Sequence, residues 1–241
     1  LFLFVSDEEY SFSGAVAAVK RGLHASFGIT GEPTSLSIVR AHKGVTRWRV
    51  RTKGLAAHAA YPQRGKNAIY LMAPVIQRLE QHAKDLSGAE PHPLLGIPSL
   101  SVGVIEGGQA VNVVPDTCWI EIDRRSVPGE TTESILSPIK ELLRDLPGVE
   151  MEPPFLSVSG MEVAADAPVV KRLSAAARKV LGTAKVEVVP YATDAGIYNR
   201  AGIPTVVFGP GDVAQAHTED EFIDLKDLDR AFRILQQLIG G

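Results

Sequence analysis

The sequence is poor in several things that would otherwise narrow its function. One cysteine, Cys118, stands in 241 residues, so no internal disulfide and no C-x-x-C motif can form. That agrees with a reducing compartment, and a cytoplasmic location is expected. Charge of one sign is equally scarce, with 25 Lys and Arg against 28 Asp and Glu for a formal net charge of -3. No Lys/Arg run or repeated aromatic-basic pattern occurs, so a nucleic-acid partner is not expected. Long apolar runs are missing too: the start, LFLFV, reaches Ser6, Asp7, Glu8 and Glu9 after five residues. It is far too short to span a bilayer and has no basic flank of a signal peptide, so no membrane partner is expected. There is no internal repeat, no low-complexity linker and no G-x-S-x-G elbow for a serine nucleophile.

What is present is the composition of a core-forming protein, 45% hydrophobic and 22% charged, long enough for one large or two ordinary domains. LFLFV reads as a strand buried on both faces, of the kind found inside a parallel sheet. Such a strand is a poor first element, and the reading favoured here is that the start of its domain is absent. The alternative is an edge strand of a complete small domain. A helix over Gly14–Leu23 and a strand over Ala25–Thr34 would complete a β-α-β unit and hence a parallel sheet.

The pattern changes near residue 43. VTRWRVRTKG alternates apolar and basic positions, as a strand with one wet side does. A long amphipathic helix over Asn67–Leu86 is expected to be interrupted at Pro74. The strands SLSVGVIEGG and Asp116–Val127 follow, then a helix over Thr132–Leu146 and the strand VEMEPPFLSV. The order β-α-β-β-α-β is the split βαβ, ferredoxin-like arrangement of an α+β domain. From about residue 160 the α/β style returns, with helices at Pro168–Gly182, TDAGIYNRAG and DLKDLDRAFRILQQLI and strands at AKVEVVP and IPTVVFGPG. The expected architecture is an α/β domain of residues 1–42 and 159–241, with a smaller domain, 43–158, inserted.

Polar residues collect where apolar strands stop, which is where open α/β sheets build their sites. Glu8 and Glu9 follow LFLFV, Glu32 the second strand, Asp194 the segment KVEVVPYAT, and His217 the strand VVFGPG. Carboxyl groups and an imidazole from separate strand ends suit zinc, cobalt or manganese. Each also has a plainer reading. Glu8 and Glu9 can be two solvated acids near a helix N-terminus, or a metal ligand beside a proton acceptor. Glu32, held extended by Pro33, is a ligand or a turn residue. His217, followed by acids able to orient its second ring nitrogen, is a ligand or a surface histidine. In the inserted domain, His58 is a loop residue or an oxyanion stabiliser. Asn112 and Arg125 can hold a substrate carboxylate, or Arg125 can make an ordinary salt bridge. His24, His42, His82 and His92 have no comparable setting, and Trp48 and Trp119 read as sheet-packing residues.

The segments SDEEYSFSGA, GEPTSLSIVRAHKG, RTKGLAAHAAYPQRGKNAI, EGGQAVNVVPDTCWIEIDRRSVPGE, YATDAGIYNRAGIPTVVFGPG and AQAHTEDEF, in this order, closely resemble the M20 metallopeptidase family, which includes acetylornithine deacetylases, desuccinylases, aminoacylases and carboxypeptidase G-type enzymes. The resemblance spans essentially the whole chain and implies a metal-dependent amide hydrolase acting on an N-acyl amino acid or small peptide. It implies two divalent metal ions, with Glu9, Glu32 and His217 as ligands and Glu8 as the base that takes a proton from the attacking water. His58 would stabilise the oxyanion in a partner's active site, and Asn112 and Arg125 would bind the substrate's carboxylate end. Thr193 and Gly209 would lie in loops near the substrate, and the inserted domain would be a lid through which two copies pair.

The sequence also departs from the pattern. The family's earlier His-x-Asp segment and bridging aspartate lie upstream of the Glu-Glu pair, and neither is found here. The chain as it stands is therefore expected to hydrolyse little or nothing, which leaves open a non-catalytic dimerisation or binding module derived from such an enzyme. Tyr191-Ala192 stands where many relatives carry two glycines.

Overall fold

A computed structural model describes residues 1–240. In chain order the elements are α1 (Ser13–Lys20), β1 (Gly28–Thr30), β2 (Ile38–His42), β3 (Gly44–Lys53), β4 (Ala57–His58), α2 (Ala68–Ser87), β5 (Ser99–Gly107), β6 (Val113–Val114), β7 (Thr117–Ser126), α3 (Thr132–Leu143), β8 (Val149–Met151), β9 (Leu156–Val158), β10 (Met161–Glu162), α4 (Pro168–Leu181), β11 (Val186–Val189), α5 (Ala195–Arg200), β12 (Thr205–Val207) and α6 (Leu225–Gly240). The chain divides into two compact units, Leu1–Gly44 with Val158–Gly241, and Val45–Ser157.

The first unit is built on a sheet in the order β1-β12-β2-β10, with β11 also paired to β2. This sheet is mixed rather than parallel. β1 runs parallel to β12 and β11 to β2, whereas β2 is antiparallel to β10 and meets β12 antiparallel at Val39 and Val207. β2, buried at four of its five positions, was not anticipated as a separate strand. Its apolar residues pack with those of β12, α4 and α6 in one core that includes Ile38, Val39, Leu173, Val206, Phe208 and Ile234. A smaller cluster joins Ala15 of α1 to Tyr198 and Ile203.

LFLFV does not form the expected strand: residues 1–5 have no regular structure, and Leu1 and Phe4 are more than nine-tenths exposed. An apolar run becomes a strand only where a neighbour meets its amides and carbonyls, and no described strand lies beside these residues. The expected β-α-β unit at the start is therefore only α1 followed by β1.

The second unit carries a sheet in the order β5-β7-β3-β8, with β9 also paired to β3. β5 and β7 pair antiparallel, as do β3 and β8. One face is covered by α2 and α3 around Trp48, Met72, Leu79, Ile120, Ile122 and Ile139. Period two is strict along β7, whose residues alternate between half-buried and buried from Thr117 to Ser126. The other face of the sheet carries paired charges: Arg47 with Asp123 at 2.7 Å, Arg49 with Glu121 at 2.6 Å, Arg51 with Glu152 at 3.0 Å and Lys53 with Glu150 at 2.5 Å. Trp119 lies on this wet face, not in the core, with the Arg49 guanidinium 4.1 Å above its ring, a cation–π contact.

Two proline expectations need correction. Helix α2 runs unbroken through Pro74. The pyrrolidine removes one backbone donor, whose acceptor would have been the carbonyl of Tyr70, and Tyr70 is exposed, so water can serve that carbonyl. Conversely, VEMEPPFLSV is two short strands, β8 and β9, because Pro153 and Pro154 interrupt the ladder. Asn67 caps α2, its side chain accepting from the Ile69 and Tyr70 amides at 2.9 and 3.2 Å, and the expected Glu80–Lys84 pair forms at 2.7 Å.

Candidate active site and its acidic cluster

Six of the anticipated site residues, Glu8, Glu9, Glu32, Thr193, Gly209 and His217, belong to the first unit. Glu8 and Glu9 sit in the turn that leads into α1, where Asp7 adopts a left-handed backbone with φ 70°. The Asp7 carboxylate accepts from Ser11 and from Ser13, the latter at 2.6 Å, and those bonds hold its pKa below the ordinary value. Asp7 thereby fixes the turn that presents its two neighbours. His217 also has a left-handed backbone, φ 62°. Its ring Nε2 lies 3.5 Å from Glu9 Oε2, both side chains being largely exposed. The following acids act differently from expectation: Glu221 accepts the backbone N–H of His217 at 3.1 Å and so holds the main chain rather than the second ring nitrogen.

Glu32 is positioned by two interlocked loops. Thr34 Oγ1 accepts from Gly209 N at 3.0 Å and donates to the Ser37 carbonyl at 2.7 Å, while Leu36 N donates to the Gly209 carbonyl at 3.0 Å. Gly209 is there because nothing larger fits: a Cβ on it would stand 2.4 Å from the Glu32 carbonyl oxygen. Thr193 is buried and its hydroxyl is turned inward, accepting from Ala195 N and donating to His42, both at 3.2 Å.

These loops bring carboxyl groups into one another's field. Partial burial, then the charges of Asp194 and Glu9, push Glu8 up to about 7, with His217 acting in the opposite sense. Burial, then Glu8, Glu9 and Asp194, push Glu32 up to about 7. Burial alone raises Asp194 to about 6. Asp194 is 4% exposed, and its Oδ1 is buried with no hydrogen-bond partner. A buried, unpartnered carboxylate oxygen among like charges is an atom that a cation would complete. The donor chemistry thus fits a divalent ion. The spacing does not close a site, since among the described residues no three His, Cys, Asp or Glu side chains are grouped so as to hold one.

The other three anticipated residues belong to the second unit. His58 and Asn112 come together through the short ladder of β4 and β6, where His58 pairs with Val113 and Ala59 N donates to the Asn112 carbonyl at 2.9 Å. Both side chains are exposed. His58 Nδ1 accepts from Ala60 N at 3.1 Å, which leaves Nε2 to carry the proton of the neutral ring and to donate outward. Arg125 stands at the far end of β7. At a strand's rise it lies about 25 Å from Thr117, the end of β7 nearest Asn112 in the chain. Its Nε donates to Asp123 Oδ1 at 2.8 Å. Within one chain it therefore does not meet His58 and Asn112. The short ladder of β4 and β6, and the setting of His42, carried no strong periodic signal in the sequence.

The M20 peptidase dimerisation domain matches residues 40–150. The chain contains an M20-family metallopeptidase/deacylase domain. Among its relatives it is 36% identical over 251 residues to the acetylornithine deacetylase of Myxococcus xanthus, covering 100% of this chain and 64% of that protein. It is 35% identical over 248 residues to the acetylornithine deacetylase of Pectobacterium carotovorum, covering 98% and 62%. The chain therefore spans less than two thirds of the length of these relatives. Among solved structures, a tripeptidase from Staphylococcus aureus superposes with a TM-score of 0.76 at 24% identity, over 98% of this chain and 62% of that one. Aminopeptidase PepT from Bacillus cereus gives 0.75 at 23%, over 98% and 62%. At those identities the likeness speaks for the fold alone. Among the described residues no helix is long and apolar enough to cross a membrane.

Proposed function

We propose that this chain, as it stands, works as a dimerising and binding module of an M20 amide hydrolase, and that hydrolysis belongs to a longer protein. The observation that carries this reading is the dimerisation-domain match over residues 40–150. The second unit supports it with a surface: β5 is nine residues long, pairs among the described residues only with β7, and exposes Val104 and Ile105. Such an edge, beside the exposed Ile69 and Tyr70 of α2, suits a symmetric pair of ferredoxin-like lids.

The acidic cluster favours a second reading, in which the same residues serve catalysis in the longer protein. Glu9, Glu32 and His217 would then hold two divalent ions, zinc or alternatively cobalt or manganese, together with the upstream His and Asp that this sequence does not contain. The ions would supply Lewis acidity. Glu8, held near neutrality by burial and like charge, would accept a proton from the attacking water and return it to the leaving amine. His58, donating through Nε2 from a partner subunit, would meet charge on the acyl oxygen. Asn112 and Arg125 would hold a carboxylate, and Thr193 and Gly209 would shape the loops beside it. The substrate would be an N-acyl amino acid or small peptide, the acetylornithine deacetylase relatives favouring the former, and a cytoplasmic setting suits such small polar solutes.

The test combines sedimentation of the purified chain with a panel of N-acyl amino acids, with and without added zinc or cobalt. A dimer without turnover supports the module. Turnover by this chain alone would contradict it and give the catalytic reading to these residues unaided.

A further inference from the structure

Two strands' ends and one helix start meet around a side chain that has no part in the chemistry above. His42, the last residue of β2, is wholly buried. Its Nδ1 lies 2.8 Å from the Lys43 carbonyl oxygen. A carbonyl only accepts, so Nδ1 carries the proton and Nε2 is left as an acceptor. The Thr193 hydroxyl meets Nε2 at 3.2 Å and in turn accepts the N–H of Ala195, the first residue of α5, at 3.2 Å. The chain of donors therefore runs one way, from the Ala195 amide through Thr193 to His42 and on to the Lys43 carbonyl. Between Thr193 and Ala195 stands Asp194, whose Oδ1 is buried without a partner and whose charge is felt by Glu8 and Glu32.

The packing leaves this turn little freedom. A Cβ on Gly196 would stand 2.2 Å from the Ser159 carbonyl and 3.2 Å from His42 Cε1, so the first turn of α5 rests directly on the imidazole. Burial also keeps the ring uncharged, its pKa being pushed down to about 4. A neutral imidazole with one fixed tautomer can accept from Thr193 at every pH at which the protein is folded and near neutral.

We propose that His42 is a positioning residue: through Thr193 it fixes the turn that holds the buried, unpartnered carboxylate of Asp194. It touches none of the reacting atoms. Its effect on ions rests on the reading of the acidic cluster as a cation site; its effect on the turn does not. Losing Thr193's acceptor frees one buried hydroxyl and loosens the Ala195 amide, and Asp194 then samples other directions.

The experiment uses the whole chain and its H42Q, H42F and T193V variants. Gln can both accept from Thr193 and donate to the Lys43 carbonyl, Phe keeps bulk without either bond, and Thr193→Val tests the same link by a near-isosteric change. Nitrogen NMR of wild type is expected to show His42 protonated at Nδ1 and bare at Nε2, with the Nε2 signal moved in T193V. Exchange of the Ala195 amide is expected to quicken roughly fivefold or more in H42F and T193V, as loss of one net hydrogen bond implies, and to return towards wild type in H42Q. Zinc affinity, read by calorimetry, is expected to fall about tenfold or more in H42F, as for loss of an outer partner of a metal site, and to recover in H42Q. Ala195 exchange unchanged in folded H42F and T193V, or an Nε2 signal unmoved in T193V, would overturn the proposal. If wild type binds no zinc while exchange follows the expected order, the cation reading fails and the positioning role stands.

Discussion

The sheet of the second unit and the acidic loops of the first handle charge in opposite ways. On the sheet of the second unit, Arg47, Arg49, Arg51 and Lys53 each face a carboxylate within 3.0 Å. Arg124, 3% exposed on the helix-covered face, is held by Glu130 at 2.5 Å and by the Arg125 carbonyl. In the first unit, burial pushes Glu8, Glu32 and Asp194 towards neutrality, and neighbouring carboxylates add to the effect on Glu8 and Glu32. Paired charges serve a surface that must be stable by itself. Carboxylates held together without a matching cation cost stability, and such an arrangement is found where something else is to be bound. Under the proposed reading, the difference separates a unit that associates from one that carries a site.

Deleting a charge should therefore have opposite signs in the two units. The largest effect is expected for Arg124→Ala, which strips Glu130 of its partner and leaves a buried gap. A loss of about 3 to 5 kcal/mol in urea unfolding is expected, and no loss would mean that the second unit does not depend on its pairs. Asp194→Asn should instead stabilise the first unit by about 2 kcal/mol at pH 8. The sign follows from the raised pKa: the cost of ionising the buried carboxyl is present above about pH 6 and vanishes below the ordinary aspartate value. The advantage of the variant should accordingly disappear by pH 4, as thermal melting across that range would reveal.

Gly209→Ala sharpens the contrast within the first unit by forcing the Glu32 loop to move. A destabilisation of about 1 to 3 kcal/mol is expected, with a weaker zinc response if Glu32 is a ligand. The smallest effect belongs to Lys53→Ala. The Lys53–Glu150 pair is more than half exposed on both sides, so a change below about 1 kcal/mol is expected; a larger one would show the outer ladder acting as a network.

Much of the second unit was legible because its signals are local. The alternation of VTRWRVRTKG and of Thr117–Ser126 follows from strand geometry alone, and the Asn67 cap and the Glu80–Lys84 pair need only neighbouring residues. LFLFV was misread for the opposite reason: its apolarity states a preference, but a strand needs a partner that its own sequence does not contain. Pro74 was misread because the cost of a proline depends on whether the lost acceptor can reach water. At the acidic cluster, residue types and strand-end positions pointed to Glu8, Glu9, Glu32 and Asp194, whereas their mutual electrostatics depend on loop geometry such as the Gly209 contact. His42 was passed over because a histidine before a lysine carries no periodic or motif signal. Its importance lies in contacts with Thr193, 151 residues away in the chain.

The most direct test of the account is sedimentation velocity of the chain and of its Ile105→Lys variant over a range of concentrations, in zinc-free buffer. The account predicts a concentration-dependent dimer for the chain and a monomer for the variant, because a charge on the β5 edge opposes strand pairing. A chain that stays monomeric throughout, or a variant that still dimerises fully, would contradict it.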